Sequence, residues 1–199
     1  MRRVPLLVAG LLLLTVTIPS AHRSVRAEAA LYPVPATYAV ATAEPLTLVD
    51  HARDDREVPV LVRYPSDASG PVPVVVWSHG GGPRPADAFA NRPWGELLAA
   101  AGYAVVHIVH VADAGDVAWA CERVGATPCT VRAAQQYLRP GDAVAVLDRL
   151  AEIVAARPEL AGRLDLERVV MAGHSNGGFT TLAVAGAPFV VPGATGAAT

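Results

Sequence analysis

Apolar positions along the chain fall into short runs divided by glycine, proline and polar clusters. Leu46-Thr47-Leu48-Val49 and Val58 to Tyr64 read as strands, the second ended by Pro65-Ser66-Asp67. Ser66 to Gly70 reads as a turn, and Val72 to Trp77 is then almost wholly apolar and β-branched. A short strand apolar on both faces belongs inside a parallel sheet covered by helices. After the loop His79-Gly80-Gly81-Gly82-Pro83, Ala86 to Ala101 reads as a helix. Phe89, Trp94, Leu97, Leu98 and Ala101 form its apolar face, Pro93 breaks or restarts it, and Gly102 closes it. Tyr103 to Val109 is a second buried strand, and residues 112–138 read as an irregular insertion. Pro140 and Asp142 open a helix in which Val144, Leu147, Leu150 and Val154 recur at helical spacing. Leu166 to Ala172 is a third apolar strand, and Phe179 to Ala185 reads as helix again.

Strands that alternate with helices and are apolar throughout predict an α/β fold, a doubly wound and mostly parallel sheet. In such sheets the site lies beyond the carboxyl ends of the strands, where both glycine-rich segments fall.

The chain divides into residues 1–29, a signal peptide, residues 30–43, a linker rich in Ala and Pro, and residues 44–199, the folded domain. Met1-Arg2-Arg3 is a basic start, and Val4 to Ile18 is an apolar run. That run is shorter than the ~20 residues of a comfortable membrane span. Ala27-Glu28-Ala29 is a small-x-small cleavage site, and Pro19-Ser20-Ala21 a weaker one. The expectation is an exported protein, periplasmic or extracellular, with no stable membrane partner after cleavage. The alternative is a retained anchor helix.

Composition narrows the classes. Of 199 residues, 52% are hydrophobic and 17% charged, which excludes a disordered polyelectrolyte. A net charge of −2 without Lys or Arg clusters gives no reason to expect nucleic acid. Cys121 and Cys129 flank a loop-like stretch containing Gly125 and Pro128. Export would permit a disulfide between them, the alternative being two free thiols. Their spacing suits neither a redox pair nor zinc, and no metal site is expected.

Gly173-His174-Ser175-Asn176-Gly177 is a G-x-S-x-G sequence between a strand and a helix. A serine there sits on a sharp turn that lifts its hydroxyl above the sheet, and the flanking glycines are needed because a Cβ would meet the neighbouring strand and helix. Ser175 is the candidate nucleophile. The alternative is a plain turn with a capping serine. His79-Gly80-Gly81-Gly82 is the second element. Backbone N–H groups can hold the charge that develops on a carbonyl oxygen under attack, and Asn176 and Gly81 are the expected donors. The alternative is a flexible glycine turn. A phosphate loop fits less well, because neither G-K-[ST] nor G-x-G-x-x-G is present.

Four segments carry a family resemblance: Val74-Val75-Val76-Trp77-Ser78-His79-Gly80, Ala100-Ala101-Gly102-Tyr103-Ala104-Val105, Leu147-Asp148-Arg149-Leu150, and Gly173-His174-Ser175-Asn176-Gly177-Gly178. Over about Val58 to Ala185 the chain resembles the dienelactone-hydrolase-like esterases. These are α/β-hydrolases related to platelet-activating-factor acetylhydrolase, chlorophyllase and bacterial cutinase-like polyester hydrolases. The resemblance implies hydrolysis of a small-molecule carboxylic ester through an acyl-serine, without cofactor or metal. It also implies an acid and a histidine after the serine, on later strands that pair beside the nucleophile strand.

After Ser175 the sequence contains no Asp, Glu or His. The expectation is therefore that the chain as given stops short of the acid and base, has little activity, and leaves Val169 to Ala172 as an apolar edge. Of the upstream histidines, His107 is expected in the core, and His79 and His174 are expected as loop and packing residues. His110, with Asp113 nearby, is expected to border the pocket or make a structural hydrogen bond. The rival readings are a non-catalytic remnant or binding module, and a serine peptidase of the same fold.

Overall fold

The computed structural model describes residues 37–81, 92–110 and 113–195. The predicted signal peptide, residues 30–36 of the linker, Gly82, and positions 86–91 of the first predicted helix lie outside these residues. The strands are β1 (Val40–Thr42), β2 (Leu46–Asp50), β3 (Arg56–Pro65), β4 (Val72–Ser78), β5 (Ala104–Ile108) and β6 (Leu164–Gly173). The helices are α1 (Arg92–Ala100), α2 (Ala114–Val124), α3 (Val131–Asp148), α4 (Leu150–Ala155) and α5 (Asn176–Val184).

The sheet order is β1-β3-β5-β4-β6, with β2 also on β3. β4 runs parallel to β5 and β6, while β3 is antiparallel to β1, β2 and β5. The sheet is thus mixed: its parallel part carries both glycine-rich segments, and an antiparallel meander borders it. Every residue of β5 is buried, and β4 is buried apart from a half-buried Pro73. That is why these strands are apolar without alternation.

Side chains alternate between two cores. Val74, Val76, Val106 and Ile108 pack with Ala143, Val146, Leu150 and Ile153 of α3 and α4. Each such valine, fully buried, contributes about 1.5–3 kcal/mol. Val75, Trp77 and Val105 face the other way with Leu98 of α1, and the Trp77 and Trp94 rings stack at 5.7 Å. Helices therefore cover both faces.

Three readings of the sequence are corrected. The segment read as a linker ends in β1, which pairs Val40 with Pro65 and Thr42 with Arg63. The segment read as irregular, 112–138, is helical over 114–124 and from 131 onward. Asp113 caps α2 by accepting from the Asp116 N–H at 2.8 Å, and Gly125 ends it at φ 61°. Thr130 caps α3 by accepting from the Ala133 N–H at 3.1 Å. Pro140 and Asp142 do not open a helix but lie inside α3, whose buried face carries Ala134, Leu138, Arg139, Asp142 and Val146. β6, by contrast, is the edge expected for Val169 to Ala172. It pairs with β4 alone among the described residues, and Val170 is 58% exposed.

Cys121 of α2 and Cys129 just before α3 form a disulfide, with Cα atoms 5.5 Å apart. Among the described residues no helix is long and apolar enough to cross a membrane.

Candidate functional site

β4 and β6 end side by side, Ser78 opposite Gly173. From these two ends the chain turns into the predicted site. Ser175 has φ 54° and ψ −114°, a conformation costly for a residue with a side chain, between the end of β6 and the first turn of α5. The turn is closed by the Gly177 N–H donating to the His174 carbonyl at 2.8 Å and by the His174 N–H donating to the Ser78 carbonyl at 3.3 Å. Ser175 is exposed, and its hydroxyl has no hydrogen-bond partner among the described residues.

The glycines are there because the backbones touch. A Cβ on Gly173 would lie 2.5 Å from the Gly177 backbone, and one on Gly177 would run into the Ser78 carbonyl. A Cβ on Gly80 would lie 3.0 Å from His174 Nδ1 and 3.6 Å from the Ser175 Cβ. So the loop after β4 passes directly against the turn after β6. An open cavity of about 750 Å³ lies there, lined by Gly81, Ser175, Asn176 and Phe179, with Val131 and Gln135 of α3 opposite. The structure thus brings together Ser175, Asn176 and Gly81. His174 is exposed on the turn itself, and His79 is buried behind the loop.

Behind the loop lies a buried polar network that the sequence reading missed. His110 Nδ1 donates to Asp142 Oδ2 at 3.0 Å, and its Nε2 meets the Ser78 hydroxyl at 2.8 Å. Asp142 also accepts from Arg53 Nη1 at 2.9 Å and from Arg56 Nε and Nη2 at 2.6 and 2.9 Å. Burial alone would raise the Asp142 pKa, but hydrogen bonds from Arg56 and His110 outweigh it and hold the carboxyl well below the usual range. Burial lowers the His110 pKa, against the hydrogen bond to Asp142, which raises it. Its partner is thus Asp142 on α3, not the Asp113 close by in sequence. Buried Ser78, His110 and Asp142 stand in the order of a catalytic triad, but they are 0%, 5% and 0% exposed and cannot meet a substrate.

His79 extends the network. Its Nε2 accepts from the His110 backbone N–H at 3.1 Å, so the ring proton is on Nδ1, which donates to the Gly80 carbonyl at 2.6 Å. Burial, then the neighbouring His110 and Arg139, lowers its pKa to about 3. His107, on the opposite face, is likewise lowered to about 3 by burial and by Arg63, whose Nη1 donates to its Nε2 at 3.0 Å. Neither ring is free to act as a base for Ser175.

Arg139 completes the arrangement. Fully buried, it donates from Nη1 to the His79 carbonyl at 2.7 Å and from Nη2 to the Gly80 carbonyl at 2.9 Å. Among the described residues no cluster of His, Cys, Asp and Glu could hold a metal ion.

No protein-family model matches the chain, and neither does any curated protein. Solved structures do. A ferulic acid esterase from Streptomyces cinnamoneus is 26% identical over 79% of this chain and 57% of its own, with a TM-score of 0.51. A brefeldin A esterase, described as a bacterial homologue of human hormone-sensitive lipase, is 26% identical over 79% of this chain and 37% of its own, with a TM-score of 0.49. A bacterial heroin esterase is 22% identical over 82% of this chain and 44% of its own, with a TM-score of 0.44.

With the strand order and the strand-turn-helix at Ser175, the first likeness defines the class: the chain has the α/β-hydrolase fold. It spans 57% of the length of the ferulic acid esterase.

Proposed function

We propose that the chain belongs to a carboxylic ester hydrolase that works through an acyl-serine, of the dienelactone-hydrolase-like kind. The observation that carries this is the conformation of Ser175, at φ 54° on the turn between β6 and α5, facing Gly81 across one cavity. Ser175 Oγ attacks the ester carbonyl carbon and gives its proton to a general base. The backbone N–H groups of Gly81 and Asn176 hold the resulting oxyanion. The alcohol leaves with a proton, and water then releases the acid from Ser175. Of the described histidines, His79, His107 and His110 are buried and already engaged, and none of the three is assigned as the base. The first 29 residues fit an export signal.

The test is turnover of p-nitrophenyl acetate, together with labelling by a fluorophosphonate probe, in the full-length protein and its Ser175→Ala variant. Loss of labelling and a fall in turnover of roughly 10⁴-fold or more are expected. Equal labelling of the variant would overturn the assignment. A wild-type protein that neither labels nor turns over would favour the non-catalytic reading, for which the absence of a partner for the Ser175 hydroxyl among the described residues speaks. Cleavage of peptides in preference to esters would favour a peptidase.

A further inference from the structure

Arg139 lies on the buried face of α3 with none of its surface exposed. Withdrawing a guanidinium from water costs several kcal/mol, and removing this cost is often as simple as substituting an apolar residue. Among the described residues no carboxylate accepts from Arg139. The nearby Asp142 accepts from Arg53, Arg56 and His110 instead. The guanidinium donates to two carbonyls of consecutive peptides, those of His79 and Gly80, and its Nη2 also lies 3.3 Å from His79 Nδ1. Its pKa, lowered by burial to about 10, keeps it a cation at neutral pH.

The consequence follows from the planarity of the peptide bond. In a trans peptide the C=O and the N–H point in opposite directions. A bond that draws the Gly80 carbonyl toward α3 therefore turns the Gly81 N–H away from α3's Arg139, and the bond to the His79 carbonyl does the same for the Gly80 N–H. Gly81 itself supplies no anchor, since it has no side chain and a Cβ built there would meet nothing within 4 Å. His79 assists by donating to the same Gly80 carbonyl at 2.6 Å.

We propose that Arg139 is a positioning residue for the oxyanion-binding peptide: its two hydrogen bonds hold His79-Gly80-Gly81 so that the Gly81 N–H faces the cavity beside Ser175. The assignment rests on the hydrolase reading of Ser175. Arg139 touches no substrate and acts through Gly81. Lysine cannot replace it, because one ammonium on a flexible stem does not span two carbonyls as a planar fork does.

The experiment compares wild type with Arg139→Lys and Arg139→Gln in the full-length protein. Residual dipolar couplings of the Gly81 N–H should match the structure in wild type and change in both variants. In p-nitrophenyl acetate hydrolysis, kcat should fall on the order of 10- to 100-fold, with KM within about two-fold, since only transition-state charge is affected. An unchanged Gly81 coupling, or a fall confined to KM, overturns the proposal. A wild type without turnover sinks the hydrolase reading alone, because the Gly81 coupling still decides the role of Arg139. If neither variant folds, the wild type decides: a scalar coupling from the Arg139 Nη to the Gly80 carbonyl carbon is expected, and its absence overturns the assignment.

Discussion

Gly177, in the first turn of α5, packs directly against the carbonyl oxygen of Ser78 at the end of β4, leaving no room between them for a methyl group. This contact sets how closely the turn carrying Ser175 can approach the loop carrying Gly81. The obstacle is backbone on both sides, so no rotamer change can relieve it.

Gly177→Ala is therefore expected to destabilise the protein by about 1–3 kcal/mol or more through overpacking. Gly81→Ala, which meets open space, should stay within about 0.5 kcal/mol of wild type. Urea midpoints of the two variants measure the contrast, and equal midpoints would show that the α5 turn yields.

The Asp142 carboxylate holds Arg53, Arg56 and His110 together, and it is fully buried. Asp142→Asn removes the charge shared by Arg53, Arg56 and His110 and leaves buried Arg56 its ion pair with Asp116 at 2.7 Å, so the loss should be about 1–3 kcal/mol rather than that of a stranded charge. Denaturant unfolding of the variant checks this. A midpoint close to wild type would mean that Asp116 alone compensates Arg56.

Acid should destabilise the fold well above the carboxylate range. His79 and His107 have pKa values lowered from 6.5 to about 3, so between these limits the unfolded chain binds more protons than the folded one. The stability they contribute is complete above pH 6.5 and is lost as pH falls toward 3, at about 1.4 kcal/mol per pH unit for each ring. His110 is shifted the same way, and Asp142, held below its ordinary 3.8, adds its loss only at still lower pH. The thermal midpoint should be nearly flat above about pH 7 and fall by roughly 5–10 °C per unit between about pH 6 and 4. A midpoint unchanged between those values would show that the imidazoles titrate normally.

Much of this architecture is legible in the sequence because it rests on local signals. The apolar runs at Val72–Ser78 and Ala104–Ile108 mark strands covered on both faces, and G-x-S-x-G after a strand marks the turn at Ser175. The helices over 114–124 and 131–148 carry a weaker sequence signal. Their buried faces include Ala120, Ala133, Ala134 and Ala143 as well as Arg139 and Asp142, so the apolar period is faint, and Pro140 reads as a start rather than an interior residue. Their local sequence signals are the caps at Asp113 and Thr130.

Ser175 on its turn and the glycine loop are legible as contiguous motifs, G-x-S-x-G and H-G-G-G, although what forbids a side chain at Gly177 is the Ser78 carbonyl of a distant strand. Tertiary structure alone decided that Arg139, His110, Asp142 and Ser78 stand behind that loop. The reason is physical. A buried polar group is defined by its partners, and these lie 32 residues apart for His110 and Asp142 and 59 for Arg139 and Gly80, brought together only when α3 packs across the end of β4.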